Sequence, residues 1–202
     1  MGTPAELYPY ARAVQVYRRL ESVKTLALSL LVILGFAQGL TAGECLYISR
    51  LTPENPYLEV SPQGDCGEVR DEDILVMYPE HIDRLHYGEN GLGSVYIEGK
   101  VFYVLQNGTT ARAHYFDNGP DYFVEGLARV ISQGKFGFVD VELNVVIQAE
   151  YDFASPFCGG VALVRIGDAW GAIDRSGEAV HQVEFTEEEI RTLLDDYHCQ
   201  HR

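Results

Sequence analysis

Four regimes of apolar spacing follow one another along the chain. Leu26 to Phe36 reads LALSLLVILGF, an apolar run without a charge, whereas residues 44–73 show no periodic apolar face. From about 89 to 185 the apolar positions come in short alternating runs. Gly126-Leu-Ala-Arg-Val-Ile131 leads into a turn at Gln133-Gly134-Lys135; Phe136-Gly-Phe-Val-Asp140 follows, then a second turn near Glu142 to Asn144, then Val145-Val-Ile147. That punctuation predicts two or three short β-strands per unit. Last, Ile190, Leu193, Leu194 and Tyr197 fall at helical spacing behind the capping box Thr186-Glu-Glu-Glu189. The predicted helix carries its acidic residues at its positive end and is expected to pack on the final sheet and block the open edge.

The alternating region repeats itself. A shift of 34 lays 123–151 on 157–185 with nine identities: Phe123/Phe157, Gly126/Gly160, Ala128/Ala162, Val130/Val164, Gly137/Gly171, Asp140/Asp174, Val146/Val180, Gln148/Gln182 and Glu150/Glu184. Ordinary composition would give about two. A shift of 35 places a worn copy, about 89–117, on the first of these, with Gly91, Leu92, Val95, Gly99, Lys100, Val104 and Asp117 retained. Asn107-Gly108 and Ser176-Gly177 supply turn residues that tolerate positive φ. A lone hairpin cannot bury its apolar face, so three consecutive copies predict stacking.

The pattern Phe123-x-x-Gly126-Leu-Ala-x-Val-x-x-x-Gly134-Lys-Phe-Gly137-Phe-Val-Asp140, with Trp170-Gly171-Ala-Ile-Asp174-Arg-Ser-Gly177 in the third copy, resembles the WG-repeat (KWG) family of bacterial proteins. The second copy keeps the aromatic-Gly pair as Phe136-Gly137; the first reads Val101-Phe102 and breaks it, and the third has Gly167-Asp168-Ala169 before its Trp. The resemblance implies a mainly β fold of tandem WG-type hairpins in a stacked antiparallel sheet. It also implies an exported scaffold used for interaction, with no catalytic residue to carry over. Gly126, Gly137, Asp140, Gly160, Gly171 and Asp174 are read as structural: glycines at turns or close approaches, aspartates capping turns. The functional alternative is a sugar-stacking platform of Trp170, Tyr122 and Phe157. Asn107-Gly-Thr109 matches a glycosylation sequon, which a bacterial family would leave unmodified.

Composition and charge narrow the partners. Hydrophobic residues make up 47% and the formal charge is −15, enough apolar material for a core and the wrong sign for a phosphate backbone. Nucleic acid is excluded as a partner; an unidentified protein or glycan is expected. Lys24 ahead of the apolar run and Ala37, Gln38, Gly39, Thr41, Ala42 and Gly43 behind it make residues 1–43 a secretory signal with a long N-terminal part. Translation from a non-Met codon at Val23 would give a compact signal. The alternative is a signal anchor spanning residues 25–42, the only membrane contact foreseen. Cys45 follows Glu44 and does not suit a lipoprotein. The expected location is periplasmic or secreted.

Past residue 43 the chain carries a charge of −17 and all four cysteines, Cys45, Cys66, Cys158 and Cys199. An even number in an exported chain reads as a disulfide framework. Cys45–Cys66 closes the shortest loop and is the first expectation; Cys158 and Cys199 are paired or free. The acidic run Asp65 to Asp73 has oxygen ligands for a hard cation but not the EF-hand spacing, and reads as a solvated loop. His198-Cys199-Gln200-His201 reads as a terminal coincidence, so neither metal nor cofactor is expected. No Gly-x-Ser-x-Gly, phosphate loop or His-Glu-x-x-His occurs. A hydrolase using a carboxylate pair from the acidic segment is the enzymatic rival. The resulting division is a leader (1–43), an acidic loop-rich segment (44–86), three repeats (87–185) and a C-terminal helix (186–202), with the repeats expected to hold the fold alone.

Overall fold

The computed structural model describes residues 44–54 and 56–194. The expected leader and the His198 to His201 group lie outside the described residues, among which no helix is long and apolar enough to cross a membrane.

Each repeat copy is a three-stranded antiparallel meander. The first comprises β5 (Leu92–Ile97), β6 (Lys100–Leu105) and β7 (Thr110–Ala113). The second comprises β10 (Ala128–Ser132), β11 (Lys135–Val139) and β12 (Val145–Tyr151), and the third β14 (Val161–Ile166), β15 (Ala169–Asp174) and β16 (Ala179–Phe185). The first hairpin turns through Glu98-Gly99 and the second through Gln133-Gly134, all four residues at positive φ. That is the backbone a two-residue turn matching strand twist requires.

The first two copies join edge to edge, Ala113 of β7 facing Val130 of β10. Their six strands lie in an eight-stranded sheet ordered β12-β11-β10-β7-β6-β5-β1-β2, where β1 is Glu44–Ile48 and β2 is Val60–Asp65. The third copy forms its own sheet, β13-β14-β15-β16, with β13 at Phe153–Ala154. Two small hairpins, β3 (Gly67–Arg70) with β4 (Ile74–Met77) and β8 (Tyr115–Phe116) with β9 (Gly119–Pro120), complete the strands. A short helix α1 spans Pro79–Arg84, and α2 spans Glu187–Leu193.

The copies are joined by shared apolar cores. Leu127, Phe138, Ile147 and Tyr151 of the second copy pack with Ala154, Phe157, Ala162, Val164 and Ile173 around the third. Neither set could be buried without the other, which is how stacking stabilises a repeat.

The acidic segment is corrected by the structure. Residues 44–86 are not a loop-rich appendage: β1 pairs β5 on one side and β2 on the other. Cys45, Tyr47, Cys66, Leu75, Met77 and Leu85 form one buried cluster with Val95, Ile97, Phe102 and Val104 of the first copy. The apolar pattern hides this because Cys45-Leu-Tyr-Ile48 is buried on both faces and therefore lacks alternation. β1 and the Cys45–Cys66 disulfide, with Cα atoms 5.8 Å apart, thus belong to the repeat core.

The predicted capping box is formed: the Thr186 hydroxyl accepts the Glu189 N–H, and the Glu189 carboxylate accepts the Thr186 N–H. Ile190 of α2 is fully buried with Val161 and Ala172, beside Leu163, Trp170, Phe185 and Leu194. The helix therefore covers a face of the last sheet, built largely from β14 and β15.

Candidate functional site

The aromatic-Gly pairs mark the bulges of the meanders. Opposite Gly137 the pairing of β11 with β12 slips, Phe138 facing Ile147 while Phe136 faces Tyr151. Opposite Gly171 it slips in the same way, Ala172 facing His181 and Trp170 facing Phe185. The partner backbone fills the space of the missing side chain. A Cβ on Gly137 would lie 2.6 Å from the Ile147 carbonyl oxygen, and one on Gly171 would lie 2.9 Å from those of His181 and Gln182. Gly126 and Gly160 take positive φ in equivalent turns.

Asp140 and Asp174 organise the second turns. Asp140 accepts the N–H groups of Glu142 and Asn144 at 3.0 and 2.8 Å, and Asp174 those of Ser176 and Glu178 at 2.8 and 3.0 Å. The Ser176 hydroxyl, followed by these amides, holds the Asp174 carboxyl below its usual range.

Carboxylates also fasten one hairpin to the next. Asp152 receives Lys135 and, at 2.8 Å, the N–H of Gly167 in the hairpin turn of the third copy. The Lys135 bond, then the Gly167 bond, lowers its pKa. Asp73, beyond β3, does the same for the second copy: it accepts the N–H of Gln133 at 2.5 Å while pairing with Arg112. Gln133 and Gly167 are equivalent under the 34-residue shift, so the acidic segment supplies the staple that Asp117 of the worn copy does not provide. Glu125 adds a further tie to the Gly160 N–H at 3.0 Å.

One ion pair is deeply buried. Arg129 meets Asp121 through Nε and Nη2, both at 2.8 Å, and donates to the Ala154 carbonyl at 3.1 Å. The Arg129 N–H also reaches Asp121, at 3.0 Å, and its guanidinium stacks 5.3 Å from the Phe116 ring. Burial, then the Arg129 charge, pushes the pKa of nearby His114 down. In the N-terminal part the Tyr47 hydroxyl and His81 Nδ1 are 2.7 Å apart inside the core.

Phe157 is not available to the anticipated sugar platform. Phe157 is 1% exposed and stacks on Phe138 at 4.7 Å, so it is a core ring and not a platform ring. Tyr122 is exposed, while Trp170 is half-buried against Phe153 at 5.2 Å and Arg165 at 5.8 Å. Phe153 touches Phe136, which touches His114, giving a ladder of mutually tilted rings across the copies. Rings at 55–65° to their neighbours cover one another and offer no flat surface to a sugar.

Among the described residues no group of three or more His, Cys, Asp or Glu is placed to hold a metal. Cys158 is disulfide-bonded, and Cys199 lies outside the described residues. Spacing alone could not reveal Asp73 as a staple or Asp121–Arg129 as a buried pair. The available signal was residue type: an Arg at a core-facing position of an alternating strand demands a buried acid.

The family described as WG containing repeat matches residues 136–168, from Phe136-Gly137 through the next hairpin turn, about one period. Residues 136–168 therefore carry a WG-containing repeat. No curated protein and no solved structure matches it.

Proposed function

We propose that the chain is an exported, non-catalytic β-repeat scaffold that acts as a protein-interaction module at or beyond the cell envelope. One observation carries the reading. The polar pairs Asp121 with Arg129, Asp73 with Arg112, and Tyr47 with His81 each tie one part of the fold to another, while the third strands of the last two copies leave long faces open. Reactive chemistry needs such groups aimed at a cleft. Scaffolds of stacked copies instead present extended surfaces.

The Cys45–Cys66 disulfide supports export, since such bonds persist in oxidising compartments. The test is cell fractionation with N-terminal sequencing, followed by cross-linking of the exported protein under oxidising conditions and mass spectrometry. Processed protein outside the cytoplasm, with a reproducible cross-linked protein partner, is the expected result. Reduced, unprocessed protein in the cytoplasm would overturn the export reading.

A further inference from the structure

The nine identities between the second and third copies divide by cause. Six follow from folding: Ala128/Ala162 and Val130/Val164 are buried, and Phe123/Phe157 packs in the core. Gly126/Gly160 serve turns, Gly137/Gly171 serve bulges and Asp140/Asp174 bind turn amides. The remaining three, Val146/Val180, Gln148/Gln182 and Glu150/Glu184, occupy alternate positions on the exposed side of β12 and β16, with both valines 38% exposed. Between them, the inward positions have diverged: Ile147 corresponds to His181, Ala149 to Val183 and Tyr151 to Phe185. Burial alone predicts the opposite, because buried positions resist change and exposed ones are near-neutral.

The two strips share further properties. β12 and β16 each stand last in their sheet order, with a ladder side that no strand occupies among the described residues. Neither contains Lys or Arg, and exposed Glu142, Glu178 and Glu188 flank them, whereas Glu187 is paired with Arg191. They are neighbours at one end, where a Cβ on Gly177, just before β16, would lie 3.3 Å from Ile147.

We infer that Val146-x-Gln148-x-Glu150 and Val180-x-Gln182-x-Glu184 are duplicated docking strips for an extended basic polypeptide segment laid along the edge strand. Strand addition gives main-chain hydrogen bonds, and cross-strand neighbours on the exposed face give selectivity. The matching segment places an apolar residue beside Val, a hydroxyl or amide beside Gln, and Lys or Arg beside Glu. Charge complementarity selects the basic partner: the strips are acidic in a chain of charge −15. Two copies make the surface bivalent. The inference rests on the interaction-module reading and names its partner chemistry.

The experiment is fluorescence anisotropy of the full chain with a labelled synthetic peptide of about twelve residues carrying Val, Thr and Lys on one face and Ser on the other. A peptide with Glu for Lys and one with the same Lys content moved to the opposite face serve as controls. Saturable binding of the patterned peptide is expected, with weaker binding of both controls. Glu184→Lys and Gln182→Ala should each weaken it several-fold, and the pair Glu150→Lys with Glu184→Lys by at least about tenfold. Glu184 is the cleaner single site, because Glu150 also bonds the Tyr151 hydroxyl. Glu98→Lys, in the first hairpin turn, makes the same charge change off the strips and should leave binding unaltered. Absence of saturable binding, equal binding of the moved-Lys peptide, or equal loss in Glu98→Lys would overturn the inference. In those cases a partner cross-linked elsewhere on the chain would still support the interaction-module reading, and circular dichroism of each variant separates lost binding from lost folding.

Discussion

The backbone of Ile147 passes directly over Gly137, so that a Cβ on Gly137 would sit 2.6 Å from the Ile147 carbonyl oxygen. The same approach recurs at Gly171, and both coincide with a slip in strand pairing. The worn first copy provides the contrast. Phe102 stands where the glycine would be, is fully buried, and its strand pairs β7 in unbroken register from Val101 to Val104. The aromatic-Gly pair is therefore the signature of a bulge: where the bulge is absent, a large core side chain takes the place of the glycine.

Gly137→Val and Gly171→Val should each lower stability by about 1–3 kcal/mol, because backbone cannot move aside as a flexible side chain can. Gly137 should be the more sensitive, its contacts being 2.6 and 2.7 Å against 2.9 Å at Gly171. Thermal unfolding measures both, and an unchanged midpoint in both variants contradicts the bulge argument.

Arg129→Met should be among the most damaging single changes. It leaves the Asp121 carboxylate buried without its bidentate partner, a loss of about 3–5 kcal/mol. Adding Asp121→Leu should restore much of the loss, since a buried ion pair is often no more stabilising than apolar residues of similar volume. Urea unfolding of both single variants and the double variant measures the coupling; additive losses would mean the pair is not the source.

The repeats were legible because strand alternation, turn glycines and capping aspartates are local signals that recur at a fixed spacing. The same locality explains what was hidden. β1 is buried on both faces and so has no alternation to betray it, and its neighbour β5 is distant in sequence. Asp73 reads as one acid among several in a charged run, yet it bonds an amide 60 residues away. Phe157 reads as an available ring, and only the packing of two copies shows that Phe138 covers it. Exposure and long-range pairing are properties of the assembled copies, whereas turn chemistry is a property of the segment.

Acid should weaken the fold in two separable steps. Folding lowers the pKa of His114, so the unfolded chain binds that proton more readily. The stabilising contribution is complete above the ordinary His value of about 6.5 and is lost as pH falls below it toward the folded value. Asp152 and Asp174 also have lowered folded values, so their contribution is present above the ordinary carboxylate range and fades below about pH 4. In a pH series of urea midpoints, His114→Gln should flatten the upper step alone, and Asp152→Asn the lower. A variant that leaves both steps intact would assign the titration elsewhere.

The N-terminal segment should prove indispensable to the repeats. A fragment from Tyr87 to Arg202 lacks β1, so β5 loses its outer neighbour and Val95, Phe102 and Val104 lose Tyr47, Leu75, Met77 and Leu85 from their cluster. Each such apolar side chain is worth roughly 1.5–3 kcal/mol when buried, and four together approach the whole stability of a domain this size. The fragment also loses Asp73 and with it the staple on the second hairpin. It should therefore be unfolded or associated, without a cooperative melt, whereas residues 44–202 should melt cooperatively. Within that longer chain, Cys45→Ala with Cys66→Ala should cost about 3 kcal/mol, the value for releasing a loop of 21 residues. Reductant should lower the wild-type midpoint at least as far and shift the double variant less. A fragment that melts as cooperatively as the longer chain would place the folding unit in the repeats alone and make β1 an accessory strand.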